Sequence, residues 1–129
     1  MTGRPAFDMS RPMKIIRILA MFMALALPAA AQRSGMYDVS GTNPDGSLYN
    51  GTLMLTQVGG TSFRITWSVG GNTIEGAGMV SGLILAVVFN LGENQTAMGI
   101  YDLRPNGQLS GIWTLIGSQA TGTEVARPR

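Results

Sequence analysis

The chain is 129 residues long, 45% apolar and 12% charged, which suits a single domain. It contains no Cys and no His, which excludes a disulfide scaffold and, in practice, structural zinc and histidine acid–base chemistry. Its +2 charge is uneven: Arg4, Arg11, Lys14 and Arg17 crowd the start against Asp8, while five Arg and six acids follow from Gln32 onward, so the electrostatic footprint of nucleic-acid binding is missing.

The first element in chain order is an address. Residues 13–31 read MKIIRILAMFMALALPAAA. Lys14 and Arg17 give a positive n-region, Ile18 to Leu27 an unbroken apolar run, and Pro28 with Ala29-Ala30-Ala31 a small-residue cleavage site. The run is about half of the ~20 apolar residues that a span needs. Export by a Sec-type signal to the periplasm or outside is therefore expected. Residues 1–31 would be removed, Gln32 would begin the mature domain of residues 32–129, and no stable membrane span would remain. Met13 is a candidate start, since residues 13–31 already form a whole signal. No Cys is available for a lipid anchor, and no adjacent Arg pair for twin-arginine export.

From Gln32 onward, short β-prone runs alternate with turn signals and no helical period occurs. The predicted strands are Tyr37–Gly41, Leu48–Gln57, Ser62–Val69, Thr73–Val80, Leu83–Leu91, Thr96–Leu103, Leu109–Ile116 and Thr121–Val125. The breaks are Asn43-Pro44-Asp45-Gly46, Gly59-Gly60, Gly70-Gly71, Ser81-Gly82, Gly92-Glu93-Asn94, Pro105-Asn106-Gly107 and Gly117. Gly-Gly permits the positive φ of tight hairpins, and Pro-Asp-Gly or Pro-Asn-Gly fixes φ and then allows reversal. The links are too short for parallel crossovers, so successive strands should pair antiparallel. The fold expected is all-β: a small antiparallel up-and-down meander barrel of about eight strands, with a two-sheet β-sandwich as the alternative. Tyr37-Asp38-Val39 with Pro44-Asp45-Gly46 is echoed by Tyr101-Asp102-Leu103 with Pro105-Asn106-Gly107, either a duplicated hairpin or convergent turn chemistry.

Alternation assigns the faces. Phe63, Trp67, Phe89, Tyr101 and Trp113 are the candidate barrel interior, joined by Ile65, Val69, Leu53, Leu55, Tyr37, Val39, Leu103, Leu109 and Leu115. Inward Gly76, Gly78, Gly99 and Gly111 make room for the large rings. An interior of this size is either filled by side chains or holds one small ligand. The outer face is polar on strands one to three. On strands four to seven it is apolar: Met79, Ile84, Ala86, Val88, Met98, Ile100, Ile112 and Ile116 form a candidate interface.

Little catalytic chemistry is available. A Ser nucleophile lacks a His or Lys base in residues 32–129. Of the six carboxylates, Asp45 and Glu93 fall in turns, and Asp38, Glu75, Asp102 and Glu124 read as outward or near the end, so no pair converges. Asn43-x-Asp45-Gly46 looks like the start of a calcium loop but lacks the distal ligands, and a turn is expected instead. No metal, cofactor or catalytic residue is assigned. The main expectation is a non-enzymatic binding module with a protein partner or self-association through the apolar face or loop ends. A carrier of a small apolar ligand inside the barrel is the alternative, and a carboxylate hydrolase the remote one.

Several motifs run through the domain: Tyr37-Asp38-Val39-Ser40-Gly41-Thr42-Asn43-Pro44-Asp45-Gly46-Ser47-x-Tyr49-x-Gly51-Thr52, Phe63-x-Ile65-Thr66-Trp67-x-Val69-Gly70-Gly71, Gly76-x-Gly78, Gly107-x-Leu109-x-Gly111-x-Trp113 and Gly122-Thr123-Glu124. Together they resemble a family of small exported bacterial proteins, some of them labelled fibronectin-binding protein. The resemblance covers nearly all of residues 32–129 and implies no particular functional residues. The architecture is also similar in kind to avidin-like and lipocalin-like barrels, although their Gly-x-Trp lies on the first strand and Gly111-x-Trp113 here on the seventh.

Overall fold

A computed structural model describes residues 34–129, within one compact unit, Arg33–Arg129. The expected signal, its cleavage after Ala31 and the candidate start at Met13 lie outside the described residues. Eight strands form: β1 (Gly35–Thr42), β2 (Leu48–Gln57), β3 (Ser62–Val69), β4 (Asn72–Ser81), β5 (Ile84–Gly92), β6 (Gln95–Leu103), β7 (Leu109–Leu115) and β8 (Gly122–Pro128). Each pairs antiparallel with the next, and β8 returns to β1 to close the barrel. The meander barrel is thus the observed fold, and the sandwich is set aside because the β1–β8 ladder leaves no sheet edge. No helix occurs among the described residues.

The turns follow their local chemistry. Gly70 and Gly71, at φ 58° and 80°, form a two-residue hairpin between the paired Val69 and Asn72. Gly59-Gly60 differs from expectation: neither glycine takes positive φ, because a longer loop turns there, with Val58 N–H donating to Ser62 O at 3.0 Å. The two Pro-x-Gly loops share one hydrogen-bond pattern. Asn43 N–H donates to Ser47 O, Gly46 N–H to Asn43 O, and Ser47 N–H to Asp45 Oδ1; Arg104 to Gln108, Gly107 to Arg104, and Gln108 to Asn106 Oδ1 repeat it. Hydrogen bonds from the Ser47 side chain and backbone hold the Asp45 carboxyl below its usual range, so this loop is self-satisfied as a turn.

Several strand ends lie one to three residues from those expected, and two of the shifts bear on the outer face and the closure. β7 stops at Leu115, leaving Ile116 in the connection to β8. β8 runs on to Pro128, because closure pairs Ala126, Arg127 and Pro128 with Val39, Asp38 and Tyr37.

All five candidate interior residues, Phe63, Trp67, Phe89, Tyr101 and Trp113, are buried. A Cβ at Gly76 would lie 2.9 Å from Trp67 and from Phe89 Cβ, and one at Gly111 2.8 Å from the Tyr101 ring. Gly76 and Gly111 are therefore recesses that seat large rings, while Gly78 makes room for Leu85 and Ile65 instead. The meander places the β2–β3, β4–β5 and β6–β7 links at one end of the barrel and the β1–β2, β3–β4, β5–β6 and β7–β8 links at the other. The first end is plugged by buried Leu55, Phe63, Leu85, Leu103 and Leu109.

Candidate functional site

The second end is open. Its inward side chains are Tyr49, Val69, Ile74 and Leu91, all only half-buried, above Trp67, Phe89 and Trp113. A register shift between Asn90 and Gly92 on β5 lies at Leu91, on the rim. Together with Asn43 from the β1–β2 loop and Glu124 from β8, these residues line a cup of about 130 Å³. The barrel is thus filled at one end and hollow at the other.

Aromatic rings form a connected wall. Trp67 and Phe89 have centroids 4.9 Å apart at 44°, Phe89 and Trp113 5.9 Å apart at 59°, and Tyr49 meets Trp113 edge-on at 6.4 Å.

At the floor is Glu124, only 4% exposed and the one buried charged or polar residue among those described. Its Oε2 accepts from the Tyr101 hydroxyl at 2.5 Å and from Trp67 Nε1–H at 3.1 Å. Its Oε1 accepts from the Tyr49 hydroxyl at 2.7 Å. Trp113 Nε1–H in turn donates to the Tyr49 oxygen at 3.1 Å. One carboxylate therefore organises both indoles and two phenols, directly or through Tyr49, and fixes their rotamers. Burial first, and the Glu124 charge second, raise the Tyr49 and Tyr101 hydroxyls well above their ordinary range, so both stay donors.

The sequence reading put Glu124 outward or near the end, and the structure corrects this. On β8, Gly122, Glu124 and Ala126 face in, while Thr123, Val125 and Arg127 face out or lie half-buried. Hydropathy favours the opposite face, but the register overrides it: Trp113, Gly111 and Leu109 of β7 oppose Gly122, Glu124 and Ala126. A Cβ at Gly122 would come within 2.8 Å of the Trp113 ring, so that position must be small. A signal was available. Inward Trp67, Trp113 and Tyr101 carry N–H or O–H groups that need acceptors inside, which favours a polar side chain facing in. Asp38, Glu75 and Asp102 are exposed, as expected.

The candidate interface residues do lie on the outside. Met79, Ile84, Val88, Met98, Ile100, Ile112 and Ile116 are exposed, and so is Ala86. Met79, Ala86, Ile100 and Ile112 pair in one row across β4 to β7.

Fold and site together define a small meander barrel with one plugged end and one aromatic cup built on a buried carboxylate. Solved structures share this fold. A redesigned β-barrel, mFAP1, bound to DFHBI, is 20% identical with a TM-score of 0.65, over 77% of this chain and 97% of that one. A de novo designed fluorescence-activating β-barrel is 17% identical with a TM-score of 0.56, over 74% and 93%. A mutant of the fluorescent protein UnaG is 10% identical with a TM-score of 0.51, over 78% and 98%. No family model and no curated protein matches the chain by sequence.

Proposed function

We propose that this protein is a non-enzymatic carrier that takes one small, largely apolar molecule into the open end of its barrel, and that it works after export. The observation that carries the reading is the 130 Å³ cup walled by Trp67, Phe89 and Trp113. A cavity of this order accommodates a benzene-sized body, and apolar walls around a few fixed polar groups are the usual makeup of a ligand site. The barrel neighbour bound to DFHBI supports the same reading by architecture. Trp67 and Trp113 are the only two tryptophans in the chain, so intrinsic fluorescence reads the cup directly. Titration with benzyl alcohol and with benzylammonium should give a saturable change in emission for at least one of them. Ile74→Phe, which fills the cup from its wall, should abolish it. Silence from both compounds, or an unaltered response in the filled variant, refutes the carrier.

A second reading concerns the outer face. The unbroken row Met79–Ala86–Ile100–Ile112, with Val88 and Met98 paired beside it, supports pairing with a second copy of the chain. This face is separate from the cup, so a dimer could carry ligand as well.

A further inference from the structure

The carrier reading leaves the polarity of the ligand open, and the floor of the cup narrows it. We propose that the ligand is a small organic cation, an ammonium with at least one N–H, that donates to Glu124 and lays its apolar body against Trp67, Phe89 and Trp113. This rests on the cup being a ligand site.

Three observations converge. The first is hydrogen-bond capacity. Each carboxylate oxygen accepts two hydrogen bonds. Oε2 of Glu124 has both, from Tyr101 and Trp67, whereas Tyr49 is the one side-chain donor to Oε1 among the described residues. Glu124 lines the cup, so a guest seated there is the partner available to the remaining acceptor position.

The second is charge. Arg64, Arg104, Arg127 and Arg129, the basic side chains among the described residues, are all exposed, and none lines the cup. The ion pair found among those residues, Arg129 with Asp38, is on the outside. A buried carboxylate without a counterion is costly even when hydrogen-bonded. A cationic guest supplies the missing charge, and an anionic guest would be repelled.

The third is the wall. Ring faces attract cations, and aromatic cages are a recurrent means of holding ammonium groups. A hydrocarbon guest would use the rings but leave the remaining acceptor position of Glu124 unfilled.

The experiment compares three probes of one shape on the intact protein at fixed ionic strength, by calorimetry and tryptophan emission: benzylammonium, benzyl alcohol and benzoate. Benzylammonium should bind about tenfold or more tighter than benzyl alcohol, as it adds an opposite charge to the hydrogen bond that the alcohol can also donate to the carboxylate, and benzoate should be weakest. Glu124→Gln should remove that preference, bringing the affinities for benzylammonium and benzyl alcohol together. If Glu124→Gln does not fold, the order of the three probes on the natural protein decides alone. Equal affinity for benzylammonium and benzyl alcohol, or a preference for ammonium that survives Glu124→Gln, overturns the cation but leaves the carrier standing. Tightest binding of benzoate overturns the cation as well. Absence of binding by all three overturns the carrier and the cation together.

Discussion

The two ends of the barrel are made from the same strands and the same alternation, yet they end differently. At the plugged end, Leu55, Leu85 and Leu109 are each 1% exposed. At the open end, Tyr49, Val69, Ile74 and Leu91 are only half-buried around the cup. The plugged end carries four leucines that close around Phe63. The open end carries rigid rings pinned by Glu124, which resist collapsing inward because their N–H and O–H groups already have partners. The plugged end therefore supplies stability, and the open end supplies shape. Substitutions at the two ends should separate these roles.

The largest effect is expected at the plugged end. Leu85→Ala should cost about 2–5 kcal/mol in denaturant unfolding and leave probe affinity in the cup unaltered. Leu91→Ala on the open rim should cost well under that range and instead change probe affinity. A reversed pattern would break the contrast.

Glu124→Leu should cost about 2–3 kcal/mol, because it strands the Tyr49, Tyr101 and Trp67 donors. Its signature is a red shift in tryptophan emission, as both indoles lose their fixed environment. A variant of unchanged stability and emission would show that the network does not hold the cup.

Alkaline pH should act on the same network. The hydroxyls of Tyr49 and Tyr101 are raised above the ordinary value of 10.0, so the folded state holds their protons more tightly than the unfolded chain does. Their contribution is complete below pH 10.0 and is lost as pH rises beyond it, since the unfolded tyrosines ionise first. Unfolding midpoints should be level up to that pH and fall above it, with phenolate absorbance from these two residues appearing together with unfolding. Full phenolate absorbance in the folded protein would contradict the burial of the pair.

The smallest change in monomer stability is expected outside. Val88→Lys with Ile100→Lys should alter it by no more than about 0.5 kcal/mol per site, because both side chains are exposed. If a second copy covers this face, sedimentation should shift from dimer to monomer. A natural protein that already sediments as a monomer at high concentration would remove the self-association reading.

The strand map and the faces of the large apolar residues assigned from parity were legible because β1 to β7 alternate cleanly and their turns carry glycine or proline signals, whereas Tyr49, Ile74, Leu85, Val87 and Leu91 were given no face. The cup was less so. Trp67, Phe89 and Trp113 were placed inside from parity, but parity does not say whether a barrel end is filled. That depends on how far Tyr49, Ile74 and Leu91 reach across. Glu124 was misplaced because β8 has only Val125 as a large apolar residue in its inner stretch, and Val125 lies on the outer face. Its orientation is imposed by the neighbours β1 and β7, which is information held in the closure of the barrel and absent from the strand itself.

In the proposed carrier, one end of the barrel admits a ligand and the other does not. The most direct test is a two-dimensional NMR titration of the intact protein with benzylammonium and with benzyl alcohol. It would follow the two indole N–H signals of Trp67 and Trp113 alongside the methyl signals of Leu85 and Leu109. Both indole signals should move and saturate with at least one compound while the leucine methyls stay still. Stationary indoles, or shifts confined to the plugged end or the outer face, would contradict it.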